Sequence, residues 1–184
     1  MVFNSDKLKK ALKVVKLACS KDKSRPMLTG INFKCKDGIC VLAGMDGYRL
    51  HVEVLNYEGS ENTNFTIPYF DVPRSSKSVD VQVSKDLVRL DFGDGIKQDI
   101  LQIKGEYFNY EKVKPNEKPV FSIAFNPQLL KDAIKVEKDD IVLLDFYGHL
   151  SPCILRNATF HRCSDRLDIE ESYRFISPMR VGGI

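Results

Sequence analysis

The sequence predicts an α+β fold built from a repeated unit in which an amphipathic helix is followed by antiparallel strands. Two observations predict it. Apolar residues near the N-terminus recur at helical spacing and then switch, after Gly30, to the alternation of half-buried strands punctuated by Asp-Gly turns. The opening pattern also returns later in the chain. Phe125-Asn126-Pro127-Gln128-Leu129-Leu130-Lys131-Asp132-Ala133-Ile134-Lys135-Val136 lines up with Phe3-Asn4-Ser5-Asp6-Lys7-Leu8-Lys9-Lys10-Ala11-Leu12-Lys13-Val14, identical at the Phe, the Asn, the first aligned Leu, the Lys after it, the Ala, the next Lys and the Val. A unit that recurs in this way has one apolar face and must stack on another to bury it.

In the first unit Asn4 or Ser5 caps a helix to about Ala18, because a short polar side chain accepts a bond from the free amides of the first turn. Leu8, Ala11, Leu12, Val15 and Ala18 share one face of it, and Lys9, Lys13 and Lys16 share the opposite one. Ile31, Phe33 and Cys35 then alternate with Asn32, Lys34 and Lys36, and Asp37-Gly38 turns the chain into Ile39 to Leu42. A second strand leaves at Asp46-Gly47, read as a two-residue hairpin turn presenting Arg49 and Leu50, and ends at Val54. Asn56 to Asn64 is a polar loop.

Phe65-Thr66-Ile67-Pro68 begins the next unit. Pro73 interrupts the short Tyr69 to Lys77 segment, so no full helix is expected there. Strands at Val79–Val83, Leu87–Phe92 and Asp99–Ile103 complete the unit, and Asn116-Glu117-Lys118-Pro119 reads as a linker. Past it, Pro127 follows an Asn cap at the first helical position, and Lys131, Lys135 and Lys138 repeat the basic stripe. Strands at Ile141–Phe146 and Cys153–Leu155 follow, then an irregular Arg162 to Ser172 and a C-terminal strand.

With 184 residues, 43% hydrophobic and 29% charged, the composition is that of a globular protein of one ordinary domain or two small ones. No apolar run nears the roughly 20 residues of a membrane span and the start does not read as a signal peptide, so the cytoplasm is the expected location. Cys19, Cys35, Cys40, Cys153 and Cys163 contain no CxxC pair and read as small buried hydrophobes. Of the histidines, only His161 could share a site with a cysteine, Cys163, which is too few ligands for a metal. The triplet Asn157-Ala158-Thr159 matches a glycosylation acceptor incidentally. A net charge of +3 does not by itself imply a polyanion partner. The chain has no GxGxxG, P-loop, HExxH or GxSxG, and its acidic residues form no paired motif, so neither catalysis nor a cofactor is expected.

Three separated stretches carry a family resemblance. Leu42-Ala43-Gly44-Met45-Asp46-Gly47-Tyr48-Arg49-Leu50 resembles the segment ATDGHRLA of the bacterial sliding clamp, the beta subunit of DNA polymerase III. Ser24-Arg25-Pro26-Met27-Leu28-Thr29-Gly30 agrees upstream, and Tyr173-Arg174-Phe175-Ile176-Ser177-Pro178-Met179-Arg180-Val181 resembles the family ending YLIMPMRL. Gly105 to Pro115 is similar to GRFPDYRRVLP. The resemblance implies a DNA-clamp fold with a complete domain, 1–117, like the family's second domain, and a half domain, 118–184, like the second half of its third.

The function it implies is that of a replication accessory protein that binds short linear peptides of polymerase or repair partners in a groove between the two domains. The wall would comprise Leu28, Gly47, Tyr48, Arg49, Leu50 and Val113 from the first, with Phe175, Ile176, Pro178, Met179 and Arg180 from the second. Met45, Phe108 and Ser177 depart from the family pattern, standing where it has Thr, Pro and Met. Lys9, Lys13, Lys16, Lys131 and Lys135 would face double-stranded DNA without sequence preference, although Pro26 and Met27 cannot anchor a phosphate by charge. The unpaired third half-unit, with an open edge along Ile141 to Phe146, implies a homo-oligomer. The alternative is a ring-less regulatory or decoy protein that keeps only the peptide pocket.

Overall fold

The side chain of Asn4 accepts the Lys7 amide at 3.1 Å and opens helix α1 (Ser5–Lys16), as its short carboxamide suits a helix start. The computed structural model describes residues 1–113, 119–134, 141–148, 151–161 and 166–179. They fall into two compact units, Met1–Lys114 and Pro115–Ile184.

In the first unit, β1 (Val2–Asn4) precedes α1, and a short helix α2 (Pro26–Thr29) leads into β2 (Ile31–Lys36), β3 (Ile39–Met45), β4 (Leu50–Asn56) and β5 (Thr63–Ile67). β6 (Ser78–Val83), β7 (Leu87–Asp91) and β8 (Lys97–Leu101) follow. Two four-stranded antiparallel sheets result, in the orders β4-β3-β2-β5 and β1-β6-β7-β8. Helix α1 packs on β3 and β4 through Leu8, Ala11, Leu12 and Val15, whose 3.6-residue spacing puts them on one face. Those side chains share a single core with Phe33 and Leu42 of one sheet and Phe3, Val79, Val88 and Leu90 of the other.

The sheet order contains an exchange. The unit is two half-units, β1-α1-β2-β3-β4 and β5-β6-β7-β8, and the leading strand of each lies in the sheet of the other. β1 pairs with β6 (Phe3 opposite Val79), and β5 pairs with β2 (Phe65 opposite Phe33). As expected from Pro73, the segment between β5 and β6 contains no helix.

Three readings of this unit's turns and cysteines are settled by its geometry. Asp37-Gly38 is a two-residue turn, with φ of 50° and 79° joining the Lys36↔Ile39 pair. Asp46-Gly47 is not: Met45 pairs with Leu50, so the connection has four residues, and only Gly47 takes a positive φ. Cys35 and Cys40 are also not separate hydrophobes. The Asp37-Gly38 turn makes them cross-strand partners, with Cα atoms 4.0 Å apart, and they form a disulfide. Cys19 is a half-buried free thiol whose partial burial pushes its pKa up to about 11, and Cys153 is the buried one.

The second unit has one helix, α3 (Pro127–Ala133), started by the Asn126 side chain accepting the Gln128 and Leu129 amides. Strands β9 (Ile141–Asp145), β10 (Cys153–His161) and β11 (Arg166–Ile176) form a sheet in the order β11-β10-β9. Residues 166–172, read as irregular, belong to β11; the pairing continues past a register shift between Arg156 and Ala158. Ala133, Cys153, Leu155 and Ile176 form its core, flanked by Phe125, Leu130 and Val142. Arg156 and Asp145 make an ion pair at 2.6 Å on the other face. The Asn116 to Lys118 part of the linker, Lys138, His149, Arg162 and Cys163 lie outside the described residues. Among the described residues no helix is long and apolar enough to cross a membrane, and no cluster of ligands could hold a metal ion.

Candidate functional site

The loop between β3 and β4 is organised by one carboxylate. Asp46 Oδ1 accepts the Tyr48 amide at 3.0 Å and the Arg49 amide at 3.1 Å, and Oδ2 accepts Arg49 Nε at 2.9 Å. The Asp side chain thus reinforces the backbone bond across the loop, from the Asp46 amide to the Arg49 carbonyl at 3.3 Å, and fixes where Arg49 stands. The Tyr48 amide bond, followed by the Arg49 contacts, holds the Asp46 carboxyl below the ordinary carboxylate range. Gly47 has φ of 99°, and a Cβ there would stand 3.3 Å from the Arg25 guanidinium, so both backbone angle and space favour glycine.

Two further segments complete the site. Pro26 at the start of α2 turns the chain so that the Leu28 carbonyl accepts the Ser20 amide at 2.8 Å. Gly30 then enters β2 where a Cβ would meet Ile103 Cδ1 at 2.5 Å and the Ile67 carbonyl at 2.8 Å, a close approach only glycine allows. On the other side, the Ile103 amide donates to Thr66 at 2.8 Å, and the buried Tyr107 hydroxyl donates to the Ala43 carbonyl at 3.3 Å. Burial raises the Tyr107 pKa far above that of a free phenol, so the hydroxyl stays a donor. Phe108 follows Tyr107 directly and is held at the cavity by this anchor.

The result is a cavity of about 450 Å³ lined by Arg25, Leu28, Met45, Gly47, Tyr48, Arg49, Leu50 and Phe108. Leu28, Met45, Leu50 and Phe108 supply apolar surface, and Arg25 and Arg49 stand over it, paired with Asp22 at 3.2 Å and Asp46 at 2.9 Å. Tyr48 is 98% exposed. A cleft of this size with an apolar floor and a few fixed polar groups suits an aliphatic or aromatic anchor with a polar neighbour.

Of the expected wall, the cavity gathers Leu28, Gly47, Tyr48, Arg49 and Leu50. Val113 ends a 3₁₀ turn (Tyr110–Val113). In the second unit Phe175 is 69% and Met179 51% exposed, while Ile176 is buried in the core. Pro178 is half-buried, and the Met179 amide donates to the Ala124 carbonyl at 2.7 Å. Arg180 lies outside the described residues. Arg25 was not foreseen as a wall residue, nor were Met45 and Phe108, whose departure from the family pattern was the available signal.

The lysines divide. Lys9 Nζ donates to the Pro73 carbonyl at 3.4 Å and Lys16 Nζ sits 3.6 Å from the centre of the Tyr69 ring, so both cover the helix-less segment of the first unit. Lys13, Lys16 and Lys131 are exposed, Lys9 is half-buried, and Lys135 lies outside the described residues.

Residues 2–108 match the family described as DNA polymerase III beta subunit, central domain. The chain belongs to this family. Among solved structures it is similar to the C. crescentus beta sliding clamp, with a TM-score of 0.76 at 19% identity over 97% of this chain and 50% of that one. It is similar to the Bacillus subtilis DNA polymerase sliding clamp at a TM-score of 0.74 and 16% identity, over 97% and 48%. The DNA polymerase III beta chain of Streptococcus pneumoniae gives 0.72 and 18%, over 98% and 49%. The chain therefore spans about half the length of these beta subunits. No curated protein sequence matches it. The likeness establishes the α+β clamp fold.

The loop between β3 and β4 gives a pH expectation. The folded-state pKa of Asp46 is lowered, so its contribution is full above the ordinary carboxylate range of about 4 and is lost as pH falls through the lowered value. The Tyr48 and Arg49 amide resonances should stay constant around neutrality and titrate together with a midpoint below the ordinary carboxylate value. In Asp46→Ala the two amides should exchange with solvent faster at every pH. Amides that titrate near neutrality would show that Asp46 does not hold the loop.

Proposed function

We propose that this chain is a reduced sliding-clamp protein of DNA replication, a non-enzymatic cytoplasmic module that binds short linear peptides of polymerase or repair proteins. The observation that carries the reading is the cavity whose apolar floor, Leu28, Met45, Leu50 and Phe108, lies beside an arginine fixed by Asp46. Val113, Phe175, Ile176, Pro178, Met179 and Arg180 are the further residues that the family resemblance assigns to peptide binding. The first unit corresponds to the family's second domain and the second to the C-terminal half of its third. Met45 and Phe108 reshape the floor relative to the family pattern and change which anchor fits. The chain associates with further copies of itself.

The test is titration of a panel of Gln-x-Leu-x-Phe peptides. Binding should weaken at least tenfold, about 1.4 kcal/mol, in Arg49→Ala and in Met179→Ala. No binding up to about millimolar, near 4 kcal/mol of affinity, ends the reading.

A ring-less regulator or decoy that keeps only the pocket is favoured by the engagement of Lys9 and Lys16 with the segment after β5. The two readings separate on DNA. A clamp that touches duplex through Lys13, Lys131 and Lys135 is retained at low ionic strength and released steeply as salt rises, whereas a pocket-only protein is not retained.

A further inference from the structure

The half-unit of the second unit carries the same parts as the first half-unit of the chain, but among the described residues it has no strand paired as β5 and β6 are paired there. Phe3, Leu8 and Leu12 match Phe125, Leu130 and Ile134 in the repeat. The first three are buried, whereas Phe125 and Leu130 are only partly buried and Ile134 is 44% exposed. One tie is common to both. Val2 bridges Glu58 just after β4, and Ala124, its match, accepts the Met179 amide just after β11.

The other side of the leading segment differs. β1 pairs there with β6, while among the described residues 119–126 join no strand. The complementary position is open as well. β2 takes the leading strand of the opposite half-unit, β5, along its outer edge, whereas β9, its counterpart, has only β10 beside it among the described residues. Leu144 and Phe146 are also exposed. Among the described residues the half-unit thus offers one unpaired leading segment and one unpaired edge of matching kind, which is a self-complementary surface. The first unit has no such segment to give, because β1 and β5 are both already paired.

We propose that two copies of this chain complete a clamp domain between them. The half-unit of one pairs two-fold with that of the other, each adding residues 123–126 as a strand beside the partner copy's β9. By the register of Phe3 on Val79, the second residue of β6, Phe125 of one copy stands opposite Val142 of the other. Ile134, Leu144 and Phe146 of both copies close on one another, as Leu12 is closed in the first unit. This deepens the self-association stated above and does not depend on the peptide cavity.

Sedimentation of the full chain should give twice the chain mass, falling to the chain mass in Leu144→Glu, with thermal unfolding of the first unit unchanged. For a readout that does not depend on that variant, Phe125→Cys/Val142→Cys is prepared with Cys19→Ser, and ¹⁵N-labelled and unlabelled chains are mixed and oxidised. Mass spectrometry should find the 125–142 bridge in peptides of mixed isotope. A wild-type monomer at every concentration, a dimer indifferent to Leu144→Glu, or a bridge only between peptides of the same isotope would overturn the proposal. Peptide titration of Leu144→Glu keeps the two readings apart: retained binding by a protein that never dimerises sinks this inference alone.

Discussion

Phe33→Ala is expected to destabilise the first unit by about 3–5 kcal/mol, the range for removing a buried phenylalanine. Phe33 on β2 is almost fully buried and stacks on Phe65 of β5, with ring centroids 5.0 Å apart and planes 7° from parallel. The pair sits where the two half-units exchange strands, since Phe65 belongs to the leading strand of the opposite one. Truncation therefore leaves a cavity at the junction on which both sheets depend. Against a typical domain stability of about 5–15 kcal/mol this is a large fraction. Urea unfolding followed by circular dichroism should show a lower midpoint at unchanged slope. Phe65→Ala in the same background should cost less than it does alone, because the partners touch. A loss under about 1 kcal/mol would mean that this junction does not hold the unit together.

The second large effect is a contrast between matched positions. Leu12→Ala should cost about 2–5 kcal/mol, because Leu12 is 1% exposed and packed between both sheets. Ile134→Ala, at the equivalent place in the second unit, should cost the dilute chain about 1 kcal/mol or less, since much of that side chain already meets water. The same substitution should weaken dimerisation instead. Equal stability losses at both positions, measured on dilute chain, would show that Ile134 is covered without a second copy.

Much of the local structure was legible in the residues themselves. The Asn4 and Asn126 caps, the face Leu8-Ala11-Leu12-Val15, the Asp37-Gly38 turn and the missing helix around Pro73 depend on interactions within a few residues, and these are what side-chain type and spacing encode. Five cavity residues were legible too, through the stretches resembling the clamp family: Leu28 and the run Gly47 to Leu50. Asp46-Gly47 shows where local reading ends. The dipeptide is the usual sign of a tight hairpin, yet the Met45↔Leu50 register leaves four residues to connect, and the Asp46 carboxylate organises them.

By itself, then, the sequence determined the two capped helices, most of the strands and the repeat, because periodicity and capping are local, whereas β1, α2 and residues 166–172 of β11 did not show in it. Tertiary structure alone decided how those elements combine. Alternation says that a strand has an inner and an outer face but not which strand lies beside it, so the exchange of β1 and β5 between sheets could not be read in advance. The Cys35–Cys40 pairing needed the strand register. Arg25 and Phe108 reach the same cavity from segments more than eighty residues apart only because the Ile103–Thr66 and Tyr107–Ala43 bonds fold the later segment back over the sheet. Ile176, read as groove wall, turned inward because its alternation on β11 points it at Cys153 and Leu155, whereas Phe175 beside it points out.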